Sequence, residues 1–320
     1  MLNQEPIKKD IVEAHERIKN QIHKTPLLTS ESLNKIFGCE LYFKCENFQK
    51  VGAFKFRGAS NAVLSLDKNE LEKGVITHSS GNHAAALSLA AKMKNVPAYI
   101  VMPVTAPEIK KRAVAGYGAQ ITFSEPTVKS REEAARKIVA ETGATFIHPY
   151  DNYAIIAGQA TCAKEMLEDV ADLDYIISPV GGAGLASGTC LSANYFSNYT
   201  KVIGAEPKGA DDAFRSLRDK TIYPSINPKT ICDGLLTQLC DKTYLILTKY
   251  LNDLITVDDE TTIRAMKIIW ERMKIIVEPS SAITLGAVMD NPDKFRNKKI
   301  GLILSGGNVD LDKLPWLNNN

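Results

Sequence analysis

The 320-residue chain carries almost no net charge, no apolar run approaching the ~18 residues of a membrane span, and no paired cysteines. Each absence removes a class of function. Thirty-nine basic side chains against 37 acidic ones leave a formal charge of +2, so no global field recruits nucleic acid or an anionic membrane, and neither is expected as a partner. An anionic ligand must be held by a local site. The N-terminal stretch Met1-Leu2-Asn3-Gln4-Glu5-Pro6-Ile7-Lys8-Lys9-Asp10 lacks the apolar core of a signal peptide, which gives a cytoplasmic expectation. Cys39, Cys45, Cys162, Cys190, Cys232 and Cys240 are scattered without a C-x-x-C pair. That argues against a zinc site or a disulfide framework and for small buried apolar residues. There is no internal repeat, and low complexity is confined to Asn318-Asn319-Asn320. What is present is an ordinary globular composition, 44% apolar and 24% charged, in a chain long enough for a large core divided into two lobes.

From Gly74 onward, β-rich runs alternate with helical patterns. Val75–His78, Ala98–Met102, Gln120–Phe123 and Thr145–Ile147 read as strands, and Asn82–Asn95, Ala106–Ala115 and Ser130–Glu141 as the helices among them. The rhythm resumes with strands at Tyr175–Val180, Val202–Ala205, Leu254–Val257 and Lys299–Leu304, and helices at Ala154–Leu167 and Thr261–Lys274. Before Gly74 come a helix at Lys8–Gln21 and a strand near Leu41–Cys45. The expected fold is α/β with two lobes, each a mostly parallel sheet covered by helices. Residues 74–149 form a small unit inserted into a larger domain of 1–73 and 150–320. Ligands in such sheets bind beyond the carboxyl ends of the strands, which puts the site between the lobes.

Four segments carry candidate chemistry. Phe54-Lys55-Phe56-Arg57-Gly58 places a lysine between two aromatics, where partial desolvation would lower its pKa and favour imine formation. Taken alone, a surface lysine laid along an amphipathic turn is the ordinary reading. Thr77-His78-Ser79-Ser80-Gly81-Asn82-His83 joins a strand to an Ala-rich helix, a place for a carboxylate or for a simple N-cap. Pro179-Val180-Gly181-Gly182-Ala183-Gly184-Leu185 again joins strand to helix, and its glycines let amides converge on a phosphate. It lacks the G-x-G-x-x-G spacing and the acidic residue ~20 positions later that a dinucleotide loop needs, which favours a monophosphate cup. Leu302-Ile303-Leu304-Ser305-Gly306-Gly307-Asn308 ends a buried strand on a hydroxyl that faces a crevice or caps a turn.

Together these segments resemble the fold-type II pyridoxal phosphate enzymes, specifically the serine racemase and serine/threonine dehydratase group. F-K-x-R-G-A, S-S-G-N-H, the glycine-rich loop, A-E-P-x-x-A-D-D and L-S-G-G-N-V-D occur in the family's order over nearly the whole chain. The resemblance implies pyridoxal 5'-phosphate bound as an imine to Lys55, with Phe54 against the ring, Asn82 on the ring hydroxyl, Gly181, Gly182, Ala183, Gly184 and Leu185 around the phosphate, and Ser305 at the pyridine nitrogen. A hydroxyl cannot hold that nitrogen protonated, so the cofactor would be a weaker electron sink. Ala183 replaces a glycine of the commoner loop, which fits only if that residue needs no positive φ. The resemblance also implies Lys55 and Ser80 as the acid–base pair, and Ser79, Ser80, Asn82 and His83 near the substrate carboxylate. Glu206, Asp212 and the Ala210 carbonyl would hold Mg²⁺, or else Ca²⁺ or Mn²⁺.

The implied enzyme interconverts L- and D-serine and dehydrates serine to pyruvate and ammonia, as a homodimer. At His148-Pro149-Tyr150-Asp151 the chain is similar to dehydratases and microbial racemases, whereas mammalian racemases carry Asn at the position of Tyr150. An ATP effector site is matched at Lys50 but not at Val51. Close rivals are ammonia-lyases for threonine or threo-3-hydroxyaspartate. A rival of another class, a non-catalytic nucleotide-binding α/β protein, leaves Phe54-Lys55-Phe56 unexplained. The chain ends soon after Trp316, which disfavours a C-terminal regulatory domain.

Overall fold

Strands form where β-branched and apolar residues cluster between turn residues, and helices where polar caps open Ala- and Leu-rich stretches. The computed structural model describes residues 2–79, 81–106 and 108–317. Its strands are β1 (Leu27–Thr29), β2 (Glu40–Cys45), β3 (Val75–His78), β4 (Ala98–Pro103), β5 (Gln120–Ser124), β6 (Thr145–Phe146), β7 (Tyr175–Pro179), β8 (Lys201–Pro207), β9 (Asp253–Val257) and β10 (Lys299–Leu304). The first seven helices are α1 (Lys8–Ile18), α2 (Glu31–Phe37), α3 (Lys55–Leu64), α4 (Lys68–Lys73), α5 (Asn82–Lys94), α6 (Glu108–Gly116) and α7 (Val128–Thr142). The rest are α8 (Tyr153–Asp169), α9 (Gly184–Phe196), α10 (Asp212–Asp219), α11 (Asp241–Tyr250), α12 (Asp259–Met273), α13 (Pro279–Asp290) and α14 (Pro292–Phe295). Caps set several of these boundaries. Asp258 accepts the Thr261 N–H at 2.8 Å to open α12, and Lys274 closes it in the left-handed region.

Two sheets result. One has the order β1-β2-β10-β7-β8-β9, parallel except for the antiparallel β1 edge; the other, β5-β4-β3-β6, is wholly parallel. This is the expected α/β architecture of two mostly parallel sheets covered by helices. The chain enters the larger sheet through β1 and β2, builds the smaller sheet from β3 to β6, and returns for β7. Successive side chains of a strand face opposite ways. Leu302 of β10 therefore packs with Ile283 and Leu285 of α13, and Ile303 with Met166 of α8 and Leu185 of α9. Each such fully buried aliphatic side chain contributes about 1.5–3 kcal/mol.

The smaller sheet draws part of its core from chain that precedes it. Phe56, Ala59 and Val63 of α3 and Ile18 of α1 join Val75, Leu87 and Ile100 in one cluster. Helix α3 thus lies between the sheets, against α8 on one side and α5 on the other. Among the described residues no helix is long and apolar enough to cross a membrane.

Candidate active site

The segment before α3 is fastened to the end of β10 by backbone. The Phe54 N–H donates to the Ser305 carbonyl at 2.9 Å, the Gly307 N–H donates to the Gly52 carbonyl at 2.9 Å, and Ala53 bridges Gly306. Lys55 opens α3 just beyond this junction. Its Nζ donates to the Pro149 carbonyl at 3.1 Å and lies 5.0 Å from the centroid of the Phe54 ring. Burial lowers its ammonium from the usual 10.5 to about 8, an effect partly offset by the negative charge of Glu278. The desolvation expected of this lysine is therefore present.

The glycine-rich loop follows β7. Val180 donates to Ala205, the Gly182 N–H donates to Thr237 Oγ1 at 3.0 Å, and α9 begins at Gly184 with no side chain capping its N-terminus. Tyr150 explains the glycines. A Cβ on Gly182 would lie 2.5 Å from its ring, and one on Gly184 2.8 Å from its Cβ. At Gly182 and Gly184 the loop leaves room for no side chain, and an α9 N-terminus with no side-chain cap among the described residues fits a phosphate monoester. Ala183 corrects one expectation. It adopts φ +64°, the left-handed region, so this position does take positive φ and carries a strain of about 1–2 kcal/mol that a glycine would not. The N–H groups of the turn can converge only with the chain so bent.

Ser305 is almost fully buried and lies 3.1 Å from the Ser281 hydroxyl. Ser281 Oγ also donates to the Gly306 carbonyl at 2.6 Å and accepts the Gly306 N–H at 2.7 Å, which fixes its place beside Ser305. Asn82 starts α5. Its amide donates to both oxygens of Glu278 at 3.2 and 3.4 Å, and its carbonyl accepts from Asn308 Nδ2 at 3.0 Å. Glu278 is a site residue that sequence reasoning missed. Burial, with Asp233 adding to it, raises its carboxyl from 4.5 to about 7 against the opposing bonds from Asn82 and Asn308. A lone glutamate between Ile275-Ile276-Val277 and Pro279 was the available signal.

Ser79 Oγ accepts the Gly81 N–H at 3.3 Å. Ser80 lies outside the described residues. The ring of His83 is buried and donates from Nε2 to the Ile147 carbonyl at 3.3 Å, leaving Nδ1 without a hydrogen-bond partner among the described residues. Burial holds its pKa well below 6.5, lowers that of His78, and brings His148 to about 4. His83 therefore supplies no charge for a carboxylate at neutral pH, and the wall made by His78, His148 and Tyr150 is neutral.

The expected cation ligands form a separate cluster. Glu206, at the end of β8, accepts the Ala213 and Phe214 N–H groups at 2.8 Å each, and burial raises its carboxyl to about 8. Asp212, also raised by burial, has its Oδ2 buried without a hydrogen-bond partner among the described residues. Two buried carboxyls pushed upward, one with an orphaned oxygen, beside the buried Ala210 fit a hard divalent cation that would restore both charges.

Comparison with known proteins agrees with this geometry. Residues 18–306 match the family model described as pyridoxal-phosphate dependent enzyme. The chain is 50% identical to a beta-hydroxyaspartate dehydratase of Paracoccus denitrificans, over 97% of this chain and 99% of that protein. It is also 50% identical to a serine racemase of Dictyostelium discoideum, over 97% of each. The crystal structure of serine racemase from Dictyostelium discoideum superposes with a TM-score of 0.92, covering 95% of this chain and 99% of that one.

Proposed function

The chain belongs to the pyridoxal-phosphate-dependent enzymes, and from that premise we propose that it interconverts L- and D-serine and dehydrates serine to pyruvate and ammonia. The observation that carries this reading is the Lys55 amine, buried and brought to about 8, in the same crevice as an uncapped helix N-terminus built from glycines. Phe54, Lys55, Asn82, Gly181 to Leu185 and Ser305 would hold the cofactor. When bound, it supplies a sink for the negative charge left at the substrate's α-carbon. The chain does the rest. Lys55 Nζ, whose uncharged form is a minor but accessible fraction near neutral pH, takes or returns the α-proton on one face, and the Ser80 hydroxyl does so on the other. The ammonium form of Lys55 assists departure of the β-hydroxide. Ser79, Asn82 and the first-turn N–H groups of α5 orient the substrate carboxylate. Borohydride reduction of the yellow enzyme, followed by peptide mapping, is expected to find a phosphopyridoxyl group on Lys55. A label on another lysine would sink the assignment.

A second reading, ammonia loss from 3-hydroxyaspartate, is supported by the Paracoccus relative and by Arg131. That cation is near enough to help lower His78 and has no ion pair among the described residues. Ratios of kcat/KM for serine, threonine and 3-hydroxyaspartate decide between the readings.

The proposal extends to Mg²⁺, with Ca²⁺ or Mn²⁺ as substitutes, on Glu206, Asp212 and the Ala210 carbonyl. Chelation should lower activity, added Mg²⁺ should restore it, and Glu206→Ala should erase that response. A variant as chelator-sensitive as the parent would place the cation elsewhere. Lys50 lies 5.7 Å from the centroid of the Phe56 ring and has no ion pair among the described residues, which leaves it available to the phosphates of an ATP effector. We also propose residues 74–149 as the smaller domain against 1–73 with 150–320, in a cytoplasmic homodimer. Sedimentation tests the dimer.

A further inference from the structure

We propose that Arg57 is the positioning residue for Lys55, fixing the rotation of α3 from the side of the helix opposite the amine. Two residues along an α-helix turn the side-chain direction by about 200°, so Lys55 and Arg57 leave the first turn of α3 on nearly opposite sides. Arg57 is fully buried. Its Nε and Nη2 donate to the two oxygens of Glu46 at 2.8 Å each, and its Nη1 and Nη2 donate to those of Glu165 at 2.7 and 2.8 Å. Thr161 Oγ1 accepts a further bond from Nη1 at 3.2 Å. The two carboxylates come from different places, Glu46 just after β2 and Glu165 on α8, so the planar guanidinium is clamped from two directions.

The helix crossing behind it has no cushion. A Cβ on Gly158 would lie 2.7 Å from the Gly58 Cα, and one on Gly58 would lie 2.3 Å from Gln159 Nε2. Close contact sets the distance between α3 and α8 but leaves rotation of α3 about its own axis to be fixed by something else. The Asn61 amide on the Ala154 carbonyl at 2.7 Å holds one point farther along the helix, and the doubly forked guanidinium holds the first turn, from which Lys55 leaves. Lys44, whose Nζ donates to Glu165 Oε2 at 2.7 Å, balances the second carboxylate, so the buried array carries no net charge. Arrays of this kind contribute little net stability over a well-packed apolar core, and what they do specify is geometry. The lever is long. An extended lysine places its amine roughly 8 Å from the helix axis, so a 10° rotation displaces it by roughly 1.4 Å. A misplacement of about 1 Å at a reacting group lowers a rate by about 10²-fold.

The inference rests on Lys55 being the cofactor lysine, and the test separates the two claims. Cofactor-free parent and Arg57→Lys proteins are mixed with pyridoxal phosphate, and the visible absorbance is followed as the Lys55 amine condenses with the aldehyde and releases water. Arg57→Lys keeps the charge but cannot fork. Attachment in the folded variant is expected to slow by about 10²-fold, and kcat for serine to fall similarly with KM changed less than about threefold. A purely structural role would lower the urea midpoint and leave both rates of the folded fraction within threefold of the parent, which overturns the proposal. If Arg57→Lys does not fold, Glu46→Gln decides by the same criterion, with attachment expected to slow by about tenfold. A parent protein that attaches no cofactor would sink the assignment of Lys55 itself.

Discussion

Lys55→Met is expected to reduce turnover of serine by at least about 10³-fold while making the cofactor-free protein more stable. Losing a positioned acid–base group accounts for about 10²–10⁴-fold, and losing covalent attachment adds to it. The stability gain follows from the lowered pKa. An ammonium that falls from 10.5 in the unfolded chain to about 8 in the folded one makes burial unfavourable by roughly 2–3 kcal/mol at pH 7, a figure reduced because the residue is only half-buried by surface area. Below pH 8 both states are protonated and the penalty is complete. Between about 8 and 10.5 the unfolded state binds the extra proton, so the parent gains stability as pH rises and the difference from Lys55→Met shrinks. Urea titrations of both apoproteins at pH 7 and pH 10 check this. A variant that keeps a tenth of parental turnover, or an advantage that does not shrink at pH 10, would refute the role or the burial.

Ser80→Ala is expected to split the chemistries by about 10²-fold. Racemisation needs a proton donor or acceptor on each side of a planar carbon, and Lys55 serves one side. If Ser80 serves the other, loss of its hydroxyl suppresses interconversion and elimination from D-serine, while elimination from L-serine falls much less. The competing reading made this segment a helix cap. The N-cap of α5 is Gly81, so the cap position itself belongs to the residue after Ser80. Initial rates of pyruvate formation from each enantiomer, with cofactor content matched by absorbance, give the answer. Equal losses for both enantiomers would end the two-base assignment.

Much of the scaffold can be read from the chain because buried parallel strands are short apolar runs set off by helices of clear amphipathic pattern. β10 runs over Lys299–Leu304 as its sequence suggests, and β4 extends the expected run by one residue to Pro103. Helix α3 is less legible. Lys55 to Leu64 includes Arg57, Ser60 and Asn61, yet all three are buried, since Arg57 and Asn61 find partners as remote as Glu165 and Ala154. α13 is buried on nearly every side, so its composition has no polar stripe to betray its period, and Glu278 just before it becomes part of the site only after folding. Conversely the roles of Lys55, the glycine loop and Ser305 rest on motif order. Distances could add the Tyr150 ring beneath the loop and the strained Ala183, which no pattern of letters reveals.

The backbone junction between Gly52–Phe54 and Ser305–Gly307 bears on how the enzyme is made. Its two halves are joined also by Asn308 Nδ2 on the Val51 carbonyl, groups 257 positions apart in sequence, and β2 pairs with β10 along its whole length. During synthesis the N-terminal strand must therefore wait for nearly the entire chain to leave the ribosome before its central neighbour in the sheet exists. Until then Lys55 is an ordinary solvated amine. A nascent chain stalled before Lys299 should be blind to the cofactor, and capture of it would mark the last stage of folding.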